Sequence, residues 1–182
     1  MKYIIAENYL CFYALLEIIL SDIGINVFTQ YDLANEFGVV LPLGYSIANV
    51  YNVSFSSEMR DYGVHIDEQK FNVFFENYRI SLKMSYISEN PYIDYTYDKY
   101  SCFIPNGKEY YIYSFSYGSL YNEVKNYDVG HVSLLLNCLS SEQIQIYDPG
   151  PRSAGVKVIR RLSMHNAMED FRGGVYVLEY TK

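Results

Sequence analysis

The chain has no tryptophan, only three cysteines and three histidines, and too little positive charge to balance its acids: 14 Lys+Arg against 21 Asp+Glu, a formal −7 over 182 residues. Each shortage excludes something. Cysteines at 11, 102 and 138 are odd in number and show no C-x-x-C spacing. They make neither a secreted disulfide framework nor a thiolate metal site, and fit a reducing compartment better. Non-specific phosphate binding needs a basic stripe, and the densest cluster here is Lys157, Arg160 and Arg161, which argues against a nucleic-acid partner. The amino terminus reaches Glu7 before an apolar core of signal-peptide length develops, so no export signal is evident. The longest uncharged stretch, Phe37 to Ser57, contains Gly38, Pro42, Gly44, two Asn and several Ser, a mixture that membrane helices avoid. Buried loop and strand are expected there. These shortages describe a cytoplasmic protein with neither membrane nor nucleic acid as partner, and with no metal or other cofactor.

What the chain does have is apolar surface, half of all residues, and 22 tyrosines, densest between Tyr92 and Tyr127. At this length one domain, or at most two small ones, is expected, and roughly two-thirds of the unfolded surface can be buried. Asn8 precedes the apolar run Tyr9 to Leu20, too long for a strand, and Gly24 follows as a stop: a buried helix with Cys11 in its first turn is expected. Thr29-Gln30-Tyr31-Asp32 has capping-box form and opens a second, short helix that ends at Gly38. A third runs from Asp67 as cap to about Glu76 and leads into a strand-like Tyr78 to Ile87.

Further on, Tyr110 to Tyr117, His131 to Asn137, Gln143 to Tyr147, Gly155 to Ile159 and Val175 to Tyr180 are β-branched or aromatic, and Gly, Ser, Asn or Pro separates them. They read as an antiparallel sheet, interrupted by a short helix from Ser163 to about Phe171. Helices first and strands later mean α+β. The expected organisation is one domain, helical over about 1–87 and sheet over about 110–182, with Ser88 to Tyr100 the most loop-like stretch. The tyrosine-rich segment is a candidate specificity or protein-partner surface, although a sheet core would use the same residues.

With so few cysteines and histidines, the possible nucleophile and base pairs can be weighed singly. Cys11, at the amino end of a buried helix, would feel the positive end of the helix dipole, which stabilises thiolate. The bland alternative is a small apolar residue packing the first turn. His131 opens an aliphatic strand, where its ring can face a cleft as a general base. Asp148 closes the next strand; if the two form a hairpin, its carboxylate lies beside His131 and can orient the imidazole. The alternative for Asp148 is a plain Asp-Pro turn. Cys102 and Cys138 carry no sign of a partner, and His65 and His165 read as surface or packing residues.

A cysteine opening a long apolar helix as Cys-x-x-Ala, then Gly130-His131 before an aliphatic strand, Asp148-Pro149 closing the next, and Gly173-Gly174-Val175-Tyr176-Val177-Leu178 near the end: this pattern resembles the bacteriocin-processing, double-glycine-leader peptidase-like branch of the papain-like cysteine peptidases. The likeness is strongest over residues 8 to 41 and 129 to 180. It implies a papain-like fold, a helical half packed on an antiparallel sheet. It also implies Cys11 as nucleophile, His131 as base and Asp148 as orienting carboxylate, acting on a peptide or protein substrate. Two departures stand out. Family members carry a Gln about five or six residues before the cysteine as oxyanion donor, where this chain has Ile5 and Ala6; Asn8 is the candidate replacement. They also tend to have Gly after the cysteine, whereas Phe12 and Tyr13 follow here and, with Gly130, would shape a narrower substrate cleft. The expected activity is hydrolysis of a peptide, amide or thioester through an acyl-enzyme. The alternatives are a binding module of the same fold that has lost turnover, or an acyltransferase like those of butirosin biosynthesis.

Overall fold

The computed structural model describes residues 1–87, 108–124 and 129–181. Cys102, the loop-like Ser88 to Tyr100 and most of the tyrosine-rich segment lie outside the described residues. The architecture is α+β, and the described chain divides into two compact units, Met1–Ile66 with Asp148–Gly155, and Asp67–Tyr147 with Val156–Lys182.

The first unit is built on helix α1, Cys11–Asp22, whose residues from Phe12 to Leu20 are all buried except Glu17. A helix apolar on nearly every side belongs in a core rather than on a surface. It starts two residues later than its sequence suggests. The Leu10 N–H bonds back to Glu7 O at 3.0 Å and Tyr9 takes a positive φ of 70°. That turn breaks the helical path, so Leu10 rather than Asn8 is the N-cap and Cys11 the first helical residue. Gly24, at φ 90°, ends the helix as expected.

Helix α2, Gln30–Phe37, packs on α1 and opens with the full capping box: Asp32 N–H donates to Thr29 Oγ1, and Thr29 N–H donates to Asp32 Oδ2 at 2.9 Å. Within Phe37 to Ser57 lie two short parallel strands, β1 (Val39–Pro42) and β2 (Val53–Ser56), with Val39 opposite Val53.

The second unit opens with helix α3, Glu68–Asn77, capped by Asp67, whose carboxylate accepts from Gln69 and Lys70 N–H groups. Its sheet contains β3 (Leu82–Ile87), β4 (Glu109–Ser116), β5 (Gly130–Cys138), β6 (Gln143–Asp148), β7 (Gly155–Arg160) and β8 (Val175–Tyr180), in the order β3-β8-β4-β5-β6-β7. The pairings β3·β8, β8·β4, β4·β5 and β5·β6 are antiparallel. Short helix α4, Tyr117–Tyr121, follows β4, and α5, Arg161–Phe171, lies against β4. Alternate residues Tyr111, Tyr113 and Phe115 of β4 face Met164, Ala167 and Met168 of α5 in one apolar core with Leu135, Ile144, Ile146 and Val175.

Two devices keep this sheet in shape. Edge strand β3 is shielded by α3, where the Asn72 side chain donates to Met84 O at 2.8 Å and accepts from Met84 N–H at 2.7 Å, imitating a neighbouring strand. The chain enters β8 through Gly173-Gly174, where a Cβ on Gly173 would sit 1.9 Å from Ser114 O and one on Gly174 2.3 Å from Ile87 O. Only glycine lets the backbones come that close.

Candidate functional site

Cys11 and Asp148 belong to the first unit and His131 to the second. Cys11 is partly exposed and in no disulfide. As the first residue of α1 it sits where peptide dipoles favour negative charge. Ahead of it, the segment Ile5–Glu7 is held on both sides. The Gln30 side chain, only 5% exposed, accepts from Glu7 N–H at 2.8 Å and donates to Ile5 O at 3.2 Å. From the other side Ala6 N–H donates to Pro149 O at 2.7 Å. That second bond joins the Asp148-Pro149-Gly150 turn to the approach of the cysteine.

Asp148 is fully buried, and its Oδ1 accepts from Gly150 N–H at 2.8 Å, so it does shape the turn expected of an Asp-Pro pair. Burying a carboxyl costs free energy unless polar partners surround it, and the Gly150 N–H is one such partner. Gln30 reflects the same economy: its backbone N–H donates to Glu17 Oε2 at 2.6 Å and both ends of its amide are used. Burial of Glu17 pushes its carboxyl above the usual carboxylate range, the Gln30 N–H and Lys2 working the other way and Asp32 adding to the rise.

Asn8, the candidate oxyanion donor, is exposed, and its Nδ2 donates to the Tyr45 hydroxyl at 3.0 Å. Tyr45 and Tyr62 pack edge-on against Tyr9, with ring centroids 5.1 and 5.9 Å away. Burial first, then the neighbouring Tyr45 and Tyr62, raise the Tyr9 hydroxyl above its ordinary range, with Arg152 opposing them. Phe12 and Tyr13, expected to narrow a cleft, are core residues at 1% and 0% exposure. The Tyr13 ring stacks on Phe37, and its hydroxyl donates to Gly38 O at 2.6 Å. Their bulk therefore fills the helix packing and shows no surface to solvent.

In the second unit His131 is the second residue of β5, directly opposite Phe115 of β4. Its ring, 8% exposed, is met edge-on by Phe115 at 5.5 Å and Tyr117 at 5.2 Å, a wall that limits how the imidazole can turn. Gly130 beside it has a packing role, because a Cβ there would lie 2.2 Å from the Phe171 ring. Of the other histidines, His65 bonds Asp61 O at 2.9 Å and His165 lies 3.4 Å from Glu169 one helical turn on. Cys138 ends β5 and is partly exposed.

Reading the sequence alone missed Gln30 and Tyr45. Both act through backbone or side-chain bonds to residues more than twenty positions away, and no local pattern marks such a partner. Among the described residues no three of His, Cys, Asp and Glu are grouped to hold a metal, and no helix is long and apolar enough to cross a membrane. No family model, curated protein or solved structure matches the chain.

Proposed function

We propose that this chain is a papain-like cysteine hydrolase that cleaves a peptide, or a related amide or thioester, with Cys11 as nucleophile, His131 as general base and Asp148 as orienting carboxylate. The observation that carries this reading is the Ala6 to Pro149 bond, which ties the residue after Asp148 to the segment leading into Cys11. A partly exposed thiol on the first residue of an otherwise buried helix, with a buried carboxylate in the same compact unit, is the economy expected of a nucleophile site. His131, the second residue of β5, is the base in this reading, its ring held edge-on by Phe115 and Tyr117.

In this scheme His131 takes the thiol proton and Cys11 sulfur attacks the carbonyl carbon. The C–N or C–S bond to the leaving group breaks as the imidazolium returns the proton to it. Water, deprotonated by His131, then attacks the thioester, and the Cys11 thiol is regenerated. Asn8 supplies the side-chain donor to the oxyanion, because Ile5 and Ala6 offer none. Those same two residues favour a second reading, a binding module of this fold that captures a peptide without turning it over.

Incubation with an activated thioester, followed by intact mass measurement, tests the first reading. An acyl adduct on Cys11, absent in Cys11→Ser and formed at least about tenfold more slowly in His131→Ala, is the expected result. No adduct, or one indifferent to His131→Ala, overturns it in favour of the binding module.

A further inference from the structure

We infer that Gln30 is a positioning residue for Cys11: its buried amide sets the rail Ile5–Glu7, which holds the start of α1 in register with the Asp148 turn. The inference rests on the cysteine-hydrolase reading and adds to it a residue with no catalytic chemistry of its own.

Three features carry it. Both halves of the amide are used on one short segment, accepting from Glu7 N–H and donating to Ile5 O, the pattern by which one strand grips another. Because successive backbone groups point to opposite sides, residue 6 faces away from Gln30, and its N–H meets Pro149 O. The rail is thus fixed from two sides, by α2 and by the turn in which Asp148 Oδ1 accepts from Gly150 N–H. Gln30 is itself anchored, its N–H donating to Glu17 Oε2 on α1. Glu17 lies about one and two-thirds turns along the same helix that Cys11 opens, so rail, α2 and α1 form a closed loop of contacts around the cysteine's approach.

A buried amide that merely filled space would be replaceable by an apolar residue of equal volume at a cost in stability alone. A positioning amide has a further signature: its loss weakens the cysteine only where a partner activates it. Iodoacetamide alkylation of Cys11 reads this, measured at neutral pH on the full chain carrying Cys102→Ser and Cys138→Ser. Four chains form a cycle: this parent, Gln30→Leu, His131→Ala and both together. Gln30→Leu is expected to slow alkylation about tenfold in the parent, the scale of a small misplacement in a reacting pair, and to add nothing once His131→Ala is present. If Gln30→Leu slows both backgrounds equally, or neither, the inference falls while the hydrolase reading stands. If His131→Ala leaves the parent rate unchanged, the reading falls and takes the inference with it.

Should Gln30→Leu fail to fold, Gln30→Glu gives the same answer by titration. A neutral carboxyl keeps both bonds, accepting from Glu7 N–H and donating to Ile5 O, whereas an ionised one can only accept. Of the charged residues, Glu17 on α1 bonds the residue 30 N–H and Glu7 bonds its side chain through the backbone, while Lys2 and Asp32 act on Glu17. The rate of Gln30→Glu relative to the parent is expected to approach one at acid pH and to fall about tenfold as the new carboxyl ionises. A ratio that stays flat across that range overturns the inference.

Discussion

Replacing Gly173 by alanine puts a methyl group where β4 already runs. The new Cβ would lie 1.9 Å from Ser114 O and 2.6 Å from Ser114 C, both backbone atoms of a strand paired on two sides. Relief needs a shift of about 1 Å, and no rotamer change can supply it because neither atom belongs to a side chain. The shift also pulls on the Ser114 N–H bond to Gly174 O, 2.9 Å long and just beyond the end of the β4·β8 ladder. Overpacking of about 1–3 kcal/mol, with about 1 kcal/mol for that bond, gives about 3 kcal/mol of lost stability. For a chain of this length, that lowers the melting temperature by roughly 10 °C.

Gly24→Ala is the control: nothing lies within 4 Å of its Cβ, but its φ of 90° strains any side chain, for about 1 kcal/mol. Urea unfolding followed by tyrosine emission, which no tryptophan obscures, measures both. A Gly173→Ala chain that unfolds within about 0.5 kcal/mol of the parent, or no earlier than Gly24→Ala, would refute the close-approach argument.

Other consequences are as direct. Thr29→Ala removes the α2 capping box and should cost about 1 kcal/mol in the same assay. Hydrogen bonds from Thr29 hold Asp32 below its ordinary value of 3.8, so its contribution is present above that pH and lost as pH falls through the depressed value; Thr29→Ala should make the acid limb of the stability curve shallower. Glu17 has the opposite sign. Its carboxyl is raised by burial, so the folded chain holds its proton longer than the unfolded one, and stability declines as pH rises from 4.5 through the folded value. Glu17→Gln should flatten that decline in pH-dependent thermal melts, and an unchanged slope would count against the burial argument. On the proposed reading, Asn8→Ala should slow acylation of Cys11 by a thioester about a hundred- to a thousandfold. Iodoacetamide alkylation, which develops no oxyanion, should stay as it was, and equal effects on the two reactions would deny Asn8 that role.

Much of the secondary structure is readable from local chemistry. The Thr29–Asp32 box, the Asp67 cap and the Gly24 stop depend on neighbours within one turn, and each is where the residues suggest. Strands β4 to β8 follow from aromatic and β-branched runs bounded by turn formers, since a half-buried pleated surface selects those side chains. The start of α1 was less legible, because Asn8 is a good cap by type and only the backbone turn at Tyr9 denies it the position. That Cys11 lies in the first turn of a buried helix and Asp148 closes a strand was already written in the chain. Which groups hold them was not. Gln30 reaches Ile5 and Glu7, Ala6 reaches Pro149, and Asn72 covers β3, all across long stretches of chain. Such bonds form because buried polar groups must find partners wherever folding brings them, and so tertiary packing alone decides which pairs meet.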